Sequence, residues 1–104
     1  MFTELAEDIL QEKLASNKKV MVQYGATWCG NCKITKPKFK RMAEENGTIE
    51  FYYVDAEKLP NSRQFADVSN LPTFAGFVDG KLVKQNQGNK IEIIQDVLHE
   101  VTSN

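Results

Sequence analysis

Hydrophobic residues recur along the chain with two periods, and the places where the period changes mark its elements. Leu5, Ile9, Leu10 and Leu14 approximate one helical face with charged residues between them, and Asn17-Lys18-Lys19 breaks the pattern. Residues 4 to 16 are therefore predicted to be helical. Val20-Met21-Val22-Gln23-Tyr24 is a short apolar run of strand formers closed by Gly25, which suits a buried central strand. From Cys29 to about Glu45 a helix would gather Cys32, Thr35, Phe39, Met42 and Ala43 on one side and Lys33, Lys36 and Lys40 on another, with Pro37 as a kink. Ile49 to Val54 reads as a second apolar strand, and Asn61-Ser62 as the cap of a short helix through Phe65 and Val68. Thr73 to Val78 and Lys81 to Gln85 flank Asp79-Gly80, a favoured pair for a tight hairpin. Asn89 with Glu92 resembles a capping box, and Ile91, Ile94, Val97, Leu98 and Val101 supply the stripe of a last helix.

Helices alternating with strands imply parallel pairing through right-handed crossovers, and the hairpin adds antiparallel partners. The expected class is α/β, with one mixed sheet covered on both faces. At 104 residues, without repeat, linker or low-complexity segment, the chain is expected to form a single domain over 1–104.

Charge narrows the choice of function. Thirteen Lys and Arg against 14 Asp and Glu leave a formal charge of -1, which offers no field for collecting phosphates. Nucleic acid and a polybasic membrane attachment are not expected as partners. The apolar runs fall far short of the ~20 residues a spanning helix needs, so no membrane association is expected. The acidic start, Met1 to Asp8, lacks the basic and apolar regions of a secretory signal, and the expected location is the cytoplasm.

Two cysteines are too few for a disulfide-rich scaffold, and with a single His they do not complete a tetrahedral zinc site unless a carboxylate or a second chain contributes. Their spacing is what matters. Cys29 and Cys32 enclose only Gly30 and Asn31, at the junction between a strand and a helix. There the first sulfur lies near unsatisfied backbone N–H groups that favour thiolate. The second lies one turn along, within disulfide reach, and points inward. An exposed, activated thiolate with a shielded neighbour can run a complete dithiol–disulfide exchange cycle. A structural bridge closing so small a loop would remove little chain entropy and would tend to be reduced in the cytosol.

These residues resemble the thioredoxin family, over the length from about Phe2 to the last helix. The resemblance rests on Ala26-Thr27-Trp28-Cys29-Gly30-Asn31-Cys32-Lys33, Pro37, Leu71-Pro72-Thr73, Gly80 and Gly88, in order and spacing; thioredoxin is itself a standard example of such a cysteine pair. It implies a protein-disulfide reductase with Cys29 as nucleophile and Cys32 resolving. It also implies a cis bond before Pro72 that sets the Leu71 backbone beside the cysteines for an extended substrate. Trp28, Gly30, Asn31, Leu71, Pro72 and Gly88 would form the substrate surface. No bound cofactor and no metal are implied; electrons would come from NADPH through a flavoprotein thioredoxin reductase, to a monomer acting on protein disulfides. An oxidase or isomerase, or a binding module that scarcely uses its cysteines, are the alternative readings.

Three departures from the family pattern modify these expectations. Gln23 stands where thioredoxins usually carry a buried Asp thought to relay the proton of the resolving cysteine, and Phe51 where many relatives place a nearby Lys. Gln cannot titrate, so general-base help from that position is lost; the paired loss is consistent, since one partner of a buried ion pair would be stranded without the other. Asn31 replaces the usual proline, which implies a somewhat more oxidising couple. Only Phe2-Thr3-Glu4 remains of the family's first edge strand, so that strand is expected to be short or absent, leaving a thioredoxin fold with a central mixed four-stranded sheet and about four helices. Lys36, Lys38, Lys40 and Arg41 read as a solvated helix face, Lys33 as a modulator beside Cys32, and His99 as a surface residue without a role.

Overall fold

The computed structural model describes residues 1–104. It comprises β1 (Phe2–Glu4), α1 (Leu10–Ser16), β2 (Lys19–Gly25), α2 (Gly30–Glu45), β3 (Glu50–Asp55), α3 (Pro60–Arg63), β4 (Thr73–Val78), β5 (Lys81–Gln87) and α4 (Ile91–Ser103). The strands form one mixed sheet in the order β1-β3-β2-β4-β5, with β1, β3 and β2 parallel and β4 and β5 antiparallel to their neighbours.

β2 is central because it is apolar on both faces. Val20, Val22 and Tyr24 face a core shared with Leu10 and Leu14 of α1, Val54 of β3 and Phe77 of β4. Met21 turns the other way, into a core built by Phe39, Met42 and Ala43 of α2 and by Ile94, Val97 and Val101 of α4. Phe39 anchors that second core, with its ring centroid 5.0 Å from Phe51 and 5.8 Å from Phe74. Truncating so fully buried a ring typically costs ~3–5 kcal/mol. The five residues expected on the inner side of α2 are all buried, whereas in α4 only Ile94, Val97 and Val101 are fully covered and Ile91 and Leu98 lie at the margin.

Several element boundaries differ from the sequence reading. The edge strand is present, as three residues pairing with Phe51 to Tyr53, so the sheet has five strands rather than four. Its pairing takes Glu4 out of the helix predicted over residues 4 to 16, which begins only at Leu10. Asp8, between them, is engaged elsewhere. Its two carboxylate oxygens accept from the backbone N–H groups of Asn61 (2.9 Å) and Ser62 (2.7 Å), capping α3 from across the fold. Asn61 and Ser62 thus lie inside a four-residue helix rather than ahead of it. Nor does the capping box at Asn89 form. The N-cap of α4 is Lys90, with no side-chain cap, and Asn89 points elsewhere. The hairpin is as expected, with Asp79 (φ 52°) and Gly80 (φ 80°) both left-handed as a tight primed turn requires.

Strand direction then determines where chemistry can occur. β2 ends at Gly25, and antiparallel β4 begins beside that end, with Thr73 paired to Tyr24. The loop after β2 and the segment before β4 therefore meet at one edge of the sheet. Tyr53 of β3 contributes to this edge too, since its phenol fills the space where a Cβ on residue 25 would stand, a close approach only glycine allows.

Candidate active site

Cys29 is the N-cap of α2, in extended conformation, and Cys32 is the third residue of the helix. The backbone N–H of Cys32 donates to Cys29 Sγ at 3.1 Å. A donor aimed at this sulfur, at the positive end of a sixteen-residue helix, stabilises negative charge there when the bond is reduced. The two residues are joined as a disulfide across a Cα separation of 5.3 Å. Cys32 has no exposed surface, while Cys29 retains 5%. Cys29 is thus less open than the sequence reading expected, though it remains the only one of the pair that an incoming sulfur can reach.

The remaining candidates are distributed around this bond. Leu71 packs on the small cluster of Ala26, Cys29 and Cys32, and the Leu71-Pro72 peptide bond is cis. Gly88, at φ 131°, donates its N–H to the Pro72 carbonyl at 3.2 Å and so ties the end of β5 to the proline. Trp28 is 67% exposed, and its indole Nε1 donates to Glu57 Oε2 at 2.8 Å. Gly30 opens α2 with free space around its Cα, and exposed Asn31 accepts through Oδ1 from Asn89 Nδ2 at 3.2 Å. Lys33 is exposed on the other flank, on a cleft of about 460 Å³ shared with Thr27, Lys36 and Tyr53. Lys36 pairs with Glu4 and stands 4.5 Å above the Tyr53 ring, so this part of the basic face is engaged rather than simply solvated.

Beneath the pair lies Gln23, fully buried. Its Nε2 donates to the Cys32 carbonyl at 3.2 Å and to Thr35 Oγ1 at 2.9 Å, while Thr35 Oγ1 lies 2.8 Å from the Asn31 carbonyl, to which it donates. The amide orientation is fixed by chemistry, because exchanging its oxygen and nitrogen would set oxygen against carbonyl oxygen. Gln23 Oε1 is left without a partner. Phe51 stands apart from this network in the aromatic core, and the residue opposite Gln23 on β3 is Tyr53. Burial raises the Tyr53 phenol above its usual range, with Asp55 and Glu4 adding to the effect.

The sequence reading missed Thr35 as a polar partner, Glu57 and Asn89. Thr35 was visible only as a polar residue on an apolar stripe. Glu57 and Asn89 are 29 and 58 residues from their partners, beyond any local signal. No group of three or more His, Cys, Asp or Glu side chains is placed to hold a metal ion, and no helix is long and apolar enough to cross a membrane.

A cysteine pair at a strand-to-helix junction, one sulfur reachable and one sealed, beside a cis-proline on a mixed sheet, defines the disulfide oxidoreductases of the thioredoxin fold. Comparison with known proteins agrees. The family model described as Thioredoxin matches residues 1–100. The chain is 32% identical to thioredoxin of Gallus gallus over 94 residues, covering 90% of each chain, and 33% identical to thioredoxin of Callithrix jacchus, covering 91% of this chain and 92% of that one. Among solved structures, reduced Schistosoma mansoni thioredoxin pre-protein superposes with a TM-score of 0.84 at 34% identity, covering 96% of this chain and 97% of that one. Plasmodium falciparum thioredoxin shares the fold, with a TM-score of 0.86 at 19% identity over 93% of this chain and 96% of that one. The chain belongs to the thioredoxin family. It is accordingly a disulfide oxidoreductase, an enzyme of the protein-disulfide reductase type whose chemistry resides in two cysteines and needs no bound cofactor.

Proposed function

We propose that this protein, as a single-domain monomer in the cytoplasm, reduces disulfides in other proteins and is itself recycled by NADPH through a flavoprotein thioredoxin reductase. The observation that supports this most is the asymmetry of the pair: an N-cap sulfur that receives a backbone donor and keeps an open side, next to one that is sealed.

In the reduced protein the Cys29 thiolate attacks one sulfur of the substrate disulfide. The substrate S–S bond breaks, one substrate sulfur leaves as thiolate and takes a proton, and a mixed disulfide forms on Cys29. Cys32 then gives up its proton and attacks Cys29 Sγ. The mixed disulfide breaks, the second substrate thiol is released, and two electrons and two protons have passed to the substrate. The extended substrate is held against the Leu71 backbone and the face of Trp28, with Gly30, Asn31, Pro72 and Gly88 completing its surroundings. Gln23 does not titrate, so the proton of Cys32 leaves to water or to the departing sulfur rather than to a residue at that position.

The experiment is reduction of insulin followed through NADPH oxidation with a thioredoxin reductase present. Turnover that disappears in Cys29→Ser supports the reading. Turnover surviving in that variant, or an inert wild-type protein over a range of pH, overturns it, the second result in favour of a binding module. Net oxidation of a reduced protein substrate, in place of reduction, would identify an oxidase.

A further inference from the structure

The segment from Asp67 to Leu71 leads from α3 to the cis bond at Pro72. No residue in it takes part in a backbone–backbone hydrogen bond. Side chains hold it instead. Arg63 Nη2 donates to the Val68 carbonyl at 2.7 Å, and Thr73 Oγ1 donates to the carbonyl of Asn70. The rest of the support comes from β5. Gln85 Oε1 accepts from the Asp67 N–H at 2.9 Å and its Nε2 donates to the Asp67 carbonyl at 2.8 Å, so one side-chain amide satisfies both backbone groups as a neighbouring strand would. Gln87 continues the ladder: Nε2 donates to Ser69 Oγ at 3.0 Å, and Oε1 accepts from Asn70 Nδ2 at 3.2 Å.

This arrangement follows from strand geometry. Residues 85 and 87 are two apart on β5 and so share one face of the sheet. Asn86 between them takes the other, donating to the Ile93 carbonyl at 3.4 Å. What the ladder holds is part of the catalytic end. Leu71 packs on Cys29 and Cys32. Ser69, Asn70 and Leu71 also form one wall of a cleft of about 260 Å³, which Trp28 and Glu57 line as well. Solvent-exposed neutral hydrogen bonds of this kind add little to global stability, since water replaces them readily. Their effect falls on the placement of a segment that has no backbone bonds of its own.

We propose that Gln85 and Gln87 are positioning residues for substrate capture: through the side chain–backbone and side chain–side chain ladder they fix Asp67 to Asn70, and with it the Leu71 backbone to which an extended substrate pairs. The inference rests on the reading of this chain as a protein-disulfide reductase. It assigns to β5 a role in recognition and none in sulfur chemistry, because neither amide contacts the cysteines. A loosened segment must be ordered by the substrate at each encounter, which weakens capture without altering the exchange step.

The test separates these two effects. Reduced wild-type protein and the double variant Gln85→Leu/Gln87→Leu are mixed with excess insulin, and in parallel with Ellman's reagent, a disulfide too small to need the segment. Single-turnover rates are recorded against concentration. The variant is expected to raise the half-saturating insulin concentration about tenfold. Its limiting rate, its rate with Ellman's reagent and its redox potential should stay at wild-type values, while hydrogen exchange at the Asp67 amide accelerates. An unmoved half-saturation, or an equal loss on both disulfides, overturns the positioning role. If the double variant does not fold, Gln87→Ala decides the matter on the same readouts, with a smaller shift of about threefold expected. Wild-type protein that reacts with Ellman's reagent but not with insulin overturns the underlying reading of the site instead.

Discussion

Gln23 Nε2 donates to the carbonyl oxygen of Cys32 at 3.2 Å, tying the centre of the sheet to the first turn of α2. The same nitrogen reaches Thr35, so the amide acts here as a double donor to α2. A carboxylate at this position would face two oxygen atoms with nothing to donate.

Gln23→Asp is therefore expected to destabilise the protein by about 1–3 kcal/mol at neutral pH through lost donors in a buried place. Burial would also raise the new carboxyl above its unfolded value. The folded state then binds more protons than the unfolded one, so the variant loses stability as pH rises from the unfolded carboxyl range through the folded one. Urea unfolding of both proteins between acid and neutral pH measures this. Stopped-flow closure of the mixed disulfide provides the kinetic counterpart: a gain near neutral pH shows that a base at residue 23 accelerates resolution, and an unchanged rate excludes it.

The bond from Trp28 to Glu57 fixes an indole that is otherwise free in solvent. Removing the tether with Glu57→Ala should raise the half-saturating insulin concentration by about threefold, and Trp28→Ala by about tenfold, since the ring supplies contact area and the carboxylate only its orientation. As the chain has a single Trp, acrylamide quenching of its fluorescence reports the released ring directly.

Asn31 is exposed between the cysteines and accepts from Asn89 ahead of α4. Asn31→Pro removes that link and restricts the backbone of the dithiol form. The couple should become more reducing, by roughly 10–30 mV on a scale where 30 mV corresponds to about 1.4 kcal/mol. Equilibration with glutathione measures the shift, and a couple that becomes more oxidising contradicts the expectation.

Tyr24 is fully buried, and its hydroxyl donates to the Ser62 carbonyl at 2.8 Å. Burial raises the phenol far above its ordinary value. An acid whose folded pKa is raised stabilises the fold below the unfolded pKa, about 10 for tyrosine, and that contribution is lost as pH rises above it. Thermal unfolding should show stability falling through this alkaline window, and Tyr24→Phe should flatten the fall while costing about 1 kcal/mol at pH 7.

Long periodic segments were legible in the sequence because one physical signal dominates each. The stripe from Cys32 to Ala43 and the apolar run of β2 needed no partner to be read. Where two signals competed, the reading failed. Leu5, Ile9 and Leu10 fit a helix, but Phe2–Glu4 gains more by pairing with β3, and Asp8 caps a helix that lies 53 residues away. The site divides in the same manner. The cysteine spacing was visible because its chemistry is local, and Gln23 was visible only as a missing acid. That its amide donates twice, and that Gln85 and Gln87 brace a segment near residue 67, depends on partners brought together by folding.

The phenol of Tyr53 seated over Gly25 makes a single unit of two positions on adjacent strands. A side chain at 25 requires a shorter one at 53, and the concession would be felt at the edge of the redox loop, because Ala26 follows directly. Among relatives of this chain the two columns should therefore vary together. Grafting a cysteine loop that brings a side chain to position 25 will require a shorter residue at 53 as well.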